Sequence, residues 1–241
     1  SNEIYIRRVT MYIYGKNVAE ETLKNNKKIH KAYLYRNFHD EWIISALQKR
    51  NVWIEYKDKY ELDRLASGNH QGIILSVPDY EYCQLDDLIV KEDPLLVILD
   101  HVEDPHNLGA IIRTCEAAGV DGIILPKNRS VEVNATVMKT SAGALEYVKI
   151  AQVTNIAQTM KELKRKGFWI VGTDMDGTNY SDIDYKGKMA LVIGNEGKGM
   201  SRIVKENCDF IASIPMIGKI NSLNASVAAG IMIYEAVRLR K

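Results

Sequence analysis

The chain has 241 residues, 46% hydrophobic and 26% charged, the composition of a folded protein able to bury one or two cores. Its formal charge of +1 supplies no global attraction for nucleic acid, so a nucleic-acid function has to rest on local features. The most apolar stretches, Gly122 to Pro126 and Ala228 to Tyr234, fall far short of the roughly 20 residues of a membrane-spanning helix, and three cysteines, Cys83, Cys115 and Cys208, are too few and too scattered for a disulfide framework or a zinc site.

Residues 1 to 14 are polar and basic with scattered aromatics and lack the apolar stretch of a secretory signal, which sets the expected location in the cytoplasm. Helical patterns then run over Val18 to Leu23, Glu41 to Lys49 and Leu62 to Ala66, alternating with strands at Ala32 to Tyr35, Val52 to Tyr56 and Ile73 to Val77. Residues 1 to 80 hold 13 Lys and Arg against 10 Asp and Glu, and the Lys24, Lys27, Lys28 and Lys31 cluster reads as a solvated face before it reads as an RNA surface. Pro78 closes the last strand, and the stretch to Pro94 carries no strong periodicity beyond one possible helical turn. The expected division is a domain over 1–78, a linker over 79–93 and a second domain over 94–241.

The second domain opens on Leu95 to Leu99, an uninterrupted apolar run typical of a strand buried on both faces of a parallel sheet. Further strands are expected at Gly122 to Leu125, Glu146 to Ile150, Phe168 to Gly172, Met189 to Ile193 and Phe210 to Ile214. Helices are expected at Leu108 to Ala118, Ile156 to Arg165, Arg202 to Glu206 and Ala225 to Leu239. Repeated β-α alternation predicts an α/β fold with a parallel sheet, whose ligands bind beyond the carboxyl ends of the strands. The informative residues should follow strands directly, at Asp100 to Asn107, Thr173 to Gly177, Gly194 to Met200 and Pro215 to Asn224.

Three constellations occupy these positions. In Asn107-Leu-Gly109-Ala-Ile-Ile-Arg113-Thr114, Asn107 stands where a helix N-cap is expected and Arg113 lies about one and two-thirds turns further on. By itself this is a capped amphipathic helix. Gly194-Asn195-Glu196-Gly197-Lys198-Gly199-Met200 joins an apolar strand to a helix; it matches neither a dinucleotide fingerprint nor a Walker A loop, yet three glycines and a carboxylate exceed what a plain turn needs. In Ile214-Pro215-Met216-Ile217-Gly218-Lys219-Ile220-Asn221-Ser222-Leu223-Asn224, the polar residues either cap the last helix or face a ligand.

In this order and spacing the three resemble the signature motifs of the SpoU (TrmH-like) family of RNA 2′-O-methyltransferases, within the SPOUT superfamily, over about residues 95 to 240. Ile13-Tyr14-Gly15-Lys16-Asn17 and Gly68-Asn69-His70-Gln71-Gly72 resemble the family's small α/β substrate-binding domain, related to ribosomal protein L30e. The similarity is strongest to the RlmB-like branch, which modifies a guanosine of 23S rRNA. The resemblance implies a SPOUT-type sheet with a C-terminal trefoil knot, which parallel-sheet reasoning alone excludes as a default, and a homodimer that completes each active site. It also implies S-adenosylmethionine as methyl donor, contacted by Gly194, Ile214 and Leu223 with Thr173 nearby, and a catalytic and RNA-facing set of Asn107, Arg113, Glu196, Ser222 and Asn224.

The expected chemistry, displacement at a sulfonium methyl by a ribose hydroxyl, needs no metal; alignment dominates. A guanidinium stays protonated, so Arg113 is better suited to clamping a phosphate and stabilising an alkoxide than to acting as base. Glu196 would orient Arg113 or anchor Asn107. His101 and His106 read as loop residues. Two rivals stand beside this reading. Asp174-Met-Asp176-Gly177-Thr178 after an apolar strand resembles the nucleophile motif of haloacid-dehalogenase-like phosphatases, although the later carboxylates Asp182, Asp184, Glu196, Glu206 and Asp209 form no matching Mg²⁺ motif. The other is a non-catalytic RNA-binding protein on the same fold, and tRNA is the alternative substrate to rRNA.

Overall fold

The structure is a computed structural model that describes residues 10–240. In chain order its strands and helices are β1 (Thr10–Tyr14), α1 (Lys16–Lys24), β2 (Lys31–Tyr35), α2 (Glu41–Lys49), β3 (Ile54–Lys57), α3 (Lys59–Leu65), β4 (Ile73–Pro78), β5 (Leu95–Leu99) and α4 (Pro105–Ala118). There follow β6 (Gly122–Pro126), α5 (Ala135–Thr140), β7 (Ile150–Val153), α6 (Ile156–Arg165), β8 (Trp169–Asn179), β9 (Met189–Ile193), α7 (Arg202–Glu206), β10 (Phe210–Ser213) and α8 (Ala225–Leu239). Contacts divide the chain into two compact units, one running to Glu81 and joined by Val133–Glu146, the other formed by Tyr82–Glu132 and the stretch from Tyr147.

In the first unit a four-stranded sheet has the order β1-β4-β2-β3, with β2 and β3 parallel and the other pairs antiparallel. Helix starts follow local chemistry: the Asp40 carboxylate accepts the Ile43 N–H at 3.1 Å to open α2, and Asp58 and Glu61 form a reciprocal capping box on α3. Val18, Leu23, Ile43 and Leu47 from α1 and α2 pack on Ile13, Leu34 and Leu75 of the sheet. Strand β1 and helix α5 were not expected. Helix α5 has six residues, three of them threonine or valine, and intrinsic propensity alone does not announce it; Asn134 caps it through the Val137 N–H, and Ala135 and Met138 pack into this unit.

The second unit holds six parallel strands in the order β10-β8-β9-β5-β6-β7. All residues of β5, β6 and β9 are buried, as their apolar runs predict. Helices α6, α7 and α8 have the expected bounds, and α8 packs on α4 and β9. Three expectations are corrected. The strand placed at Glu146 to Ile150 lies at Ile150–Val153, with a 3-10 turn at Ala144–Glu146. Strand β8 does not stop at Gly172: it continues through the presumed loop Thr173 to Gly177, because a register shift in β10 lets Ala212 pair with Thr178. The N-cap of α4 is Asp104, whose carboxylate accepts the His106 N–H at 2.8 Å ahead of Pro105 at the first helical position, so Asn107 lies inside the first turn.

The stretch 79–93 is structured over much of its length. The Cys83 N–H donates to the Ile150 carbonyl at 2.8 Å, a 3-10 turn spans Leu85–Leu88, and Leu88 is buried in the core with Leu96, Ile124 and Met160. A Cβ at Gly122 would stand 2.6 Å from the Leu88 side chain, so this glycine makes room for the leucine. Leu88→Ala is therefore expected to destabilise the chain by about 2–5 kcal/mol, read from urea unfolding; a change under about 0.5 kcal/mol would show that the turn contributes nothing to this core.

Candidate active site

The second sheet reverses its winding between β5 and β9. From β5 the chain steps outward to β6 and β7, and later returns to the other side through β8, β9 and β10. Since Leu99 pairs with Ile193, the loops leaving β5 and β9 emerge side by side at the switch point where open α/β sheets bind ligands.

These two loops are laced together. Asp100, 1% exposed, accepts the Ser201 N–H at 2.6 Å on Oδ2, while its Oδ1 lies 2.7 Å from the ring nitrogen Nδ1 of His101. His101 has a left-handed backbone, φ 61°, and the Asn195 amide donates to its carbonyl at 2.8 Å. Glu196 then accepts the Glu103 N–H at 3.2 Å, the Asp104 N–H at 3.0 Å and the Asn107 side-chain amide at 3.3 Å. Burial opposes the Glu196 charge, but the N–H groups of Asp104 and Glu196, the Asn107 amide and the Glu103 N–H outweigh it and hold this carboxyl below its ordinary pKa. Asn107, 5% exposed, is tied to this carboxylate through its side-chain amide.

Gly194 serves its own loop. The Asn195 N–H donates to the Gly199 carbonyl at 2.9 Å and the Gly199 N–H returns to the Asn195 carbonyl at 3.0 Å. A Cβ on Gly194 would lie 2.4 Å from the Gly199 carbonyl carbon and 2.5 Å from the Met200 nitrogen, so any side chain prises this closure open.

A cleft of about 530 Å³ lies beside the loop, a size suited to a small-molecule ligand. Its lining includes all four residues expected at the donor, Thr173, Gly194, Ile214 and Leu223, together with Glu196 and Ser222. The other three expected site residues lie outside the lining. Asn107 sits behind Glu196. Asn224 caps α8, accepting the Ser226 N–H at 3.0 Å. Arg113 is exposed on α4, and its side chain forms no hydrogen bond or ion pair among the described residues.

Sequence reasoning missed Asp100, Asn195 and Asp174 as organisers of this cleft. Asp100 carried a signal in its place directly after a buried strand. Asp174 lines the cleft and pairs with Lys205 at 2.6 Å; this hydrogen bond, aided by the Met175 N–H against burial, holds its carboxyl below the ordinary value and raises the Lys205 ammonium. The glycine of the phosphatase-like motif has a different origin, since a Cβ at Gly177 would stand 2.4 Å from the Ile211 carbonyl oxygen where β10 passes β8.

Residues 94–234 match the SpoU rRNA methylase family, and residues 12–83 match the RNA 2′-O ribose methyltransferase substrate-binding family. The chain is 45% identical over 238 residues to YacO of Bacillus subtilis (strain 168), named as a TrmH family tRNA/rRNA methyltransferase, covering 95% of this chain and 96% of the relative. The fold is similar to the SpoU methyltransferase AviRb from Streptomyces viridochromogenes, solved with S-adenosylmethionine, at a TM-score of 0.82 and 26% identity over 99% of this chain and 93% of the other. It is also similar to an S-adenosylmethionine-bound rRNA methyltransferase from Sinorhizobium meliloti, with a TM-score of 0.80 and 27% identity over 95% and 87% of the two chains. With its motifs on the paired loops of β5 and β9 and its catalytic and substrate-binding parts both matched, the chain belongs to the SpoU rRNA methylase family, RNA methyltransferases whose methyl donor is S-adenosylmethionine.

Proposed function

We propose that this protein methylates the ribose 2′-hydroxyl of a guanosine in 23S rRNA, acting in the cytoplasm as a homodimer. The observation that carries the reading is the cleft itself, where Thr173, Gly194, Ile214 and Leu223 meet beside the Glu196 tether. Its residues fit the donor: apolar Ile193, Ile214 and Leu223 suit a purine, while Asp174 and Ser213 offer polar partners to hydroxyl and ammonium groups. When bound, S-adenosylmethionine supplies an electrophilic methyl group on a sulfonium.

The chain's own residues then align and stabilise. Glu196 and Asn107 hold the loop of Gly194 in register with the start of α4. Ser222 lines the cleft where a ribose hydroxyl enters, and Asn224, one residue beyond Leu223, exchanges its capping bond with Ser226 for a bond to that ribose. Arg113 clamps the phosphate beside the target ribose and stabilises the developing alkoxide, while a phosphate oxygen or water takes the proton. Arg113 does not line the cleft of its own subunit, which supports the reading, implied by the family resemblance, that it serves the partner's. Exposed apolar side chains at and before α8 support that second copy: Ile217 is 99% exposed, Ile220 74%, Val227 50% and Tyr234 51%. The trefoil knot belongs to the same reading, as does a division of labour in which 1–78 presents RNA, 79–93 connects and 94–241 carries the chemistry.

Relatives named for both tRNA and rRNA keep tRNA as the second substrate. Mass-spectrometric mapping of 2′-O-methyl nucleotides in cells lacking the protein is expected to show one guanosine of 23S rRNA unmethylated. A loss confined to tRNA would transfer the assignment there, and an unchanged map would favour a non-catalytic RNA-binding role.

A further inference from the structure

The face of the four-stranded sheet turned away from α1 and α2 is only half covered. Alternation puts Tyr12, Tyr14, Lys31, Tyr33, Glu55 and Ile74 on it. Tyr14 and Ile74 are buried with Leu62 of α3, against Ala135 of α5. Beyond them Tyr12, Ser76 and Lys31 form one cross-strand row, and Trp53 extends it: the Trp53 carbonyl accepts the Ala32 N–H at 2.9 Å, and its side chain is 71% exposed. Tyr33 lies one row further along, between Ile74 and Glu55.

Across the small Ser76 the rings of Tyr12 and Tyr33 meet edge to face, with centroids 6.1 Å apart. The ammonium groups of Lys31 and Lys57 stand 4.9 Å and 5.6 Å from the Tyr33 ring centre. Both pair with Glu55, Lys57 at 3.0 Å, so they are held at the platform rather than sweeping through solvent. Two lysines against one glutamate leave the patch a single positive charge, too little for binding by phosphate attraction alone. Three aromatic side chains with cations at their margin suit a different partner, a strand whose bases can stack and whose few phosphates meet the lysines. A duplex keeps its base faces occupied and offers this platform only backbone.

We propose that this open sheet face binds an unpaired segment of the substrate RNA, with bases stacked on Trp53 and on the Tyr12–Tyr33 pair and phosphates beside Lys31 and Lys57. The inference rests on the reading that the protein acts on RNA, and it assigns one surface and one RNA state to that act.

The test uses the full chain with Trp42→Phe and Trp169→Phe, leaving Trp53 as the sole tryptophan; both replaced side chains are about half exposed. A short oligouridylate RNA is expected to quench Trp53 fluorescence on titration, while a blunt RNA duplex of the same length leaves it unchanged. In the otherwise unaltered chain, Trp53→Ala should bind the oligouridylate roughly tenfold more weakly, Trp53→Phe should recover most of the loss, and S-adenosylmethionine affinity should not move. Filter retention of the oligouridylate without quenching, equal quenching by the duplex, or full affinity in Trp53→Ala would overturn the proposal and leave the methyltransferase reading intact. Retention of neither RNA, with donor binding preserved, would overturn the platform and the RNA reading of this unit together.

Discussion

Arg113→Ala is expected to lose methyl transfer by a factor of roughly 10² or more while binding S-adenosylmethionine as tightly as the unaltered chain. The side chain lines no part of its own cleft, so donor contacts have no reason to change. Gly194→Ala should do the reverse and abolish donor binding, since even a methyl group collides with the Gly199 and Met200 backbone and opens the loop. Each variant then keeps the half of a shared site that the other lacks. After subunit exchange at equal concentrations, half of the dimers are mixed and one of their two sites is whole, so about a quarter of full activity should return. Mixed dimers demonstrated by differential tagging, yet as inactive as either parent, would place Arg113 in its own subunit's site and end the shared-site geometry.

Glu196→Ala should weaken donor binding by roughly 10²-fold, because it removes the bonds from the Glu103 and Asp104 N–H groups that join the two loops and leaves the part-buried Asn107 amide without its acceptor. The same carboxylate fixes an acid limit. Its folded pKa is depressed, so the tether is complete above the ordinary carboxylate value of about 4.3 and is lost as pH falls through the lower folded value. Calorimetric donor affinity should therefore stay level down through the usual carboxylate range and fall only beneath it. Glu196→Gln, which keeps an acceptor but cannot titrate, should bind somewhat more weakly at neutral pH and lack that fall. An identical acid profile in the glutamine variant would assign the transition to another group.

How far the sequence announced this architecture varies by element. Strands β5 and β9 were legible because a run of five apolar residues has few alternatives in an α/β chain, and α8 because its apolar positions repeat over 15 residues. The four residues that the family resemblance assigns to the donor line one cleft, and their meeting depends on sheet order, which brings β9 beside β5 and carries β8 and β10 past it. Local patterns could not foresee features made by partners distant in sequence. The extension of β8 to Asn179 exists because β10 pairs with it, and Gly177 is a glycine because Ile211 passes there. The cap of α4 was misplaced by three residues because Asp104-Pro105 and Asn107 both carry a start signal, and only the Glu196 carboxylate, 92 residues from Asp104 in the chain, removes Asn107 from competition.

The segment Val133–Glu146, made long after Glu81 yet part of the first compact unit, has a consequence for synthesis. As the nascent chain leaves the ribosome, the four strands of that unit are available before their last partners exist. Tyr14, Leu62 and Ile74 must wait for Ala135, and Lys27 for its ion pair with Glu146, while residues 82–132 are still being added. At elongation rates of ~5–20 residues per second this interval lasts several seconds, long compared with hairpin or helix formation. The contacts that Val133–Glu146 adds to the substrate-binding part therefore form only after the opening strands of the catalytic part have been made.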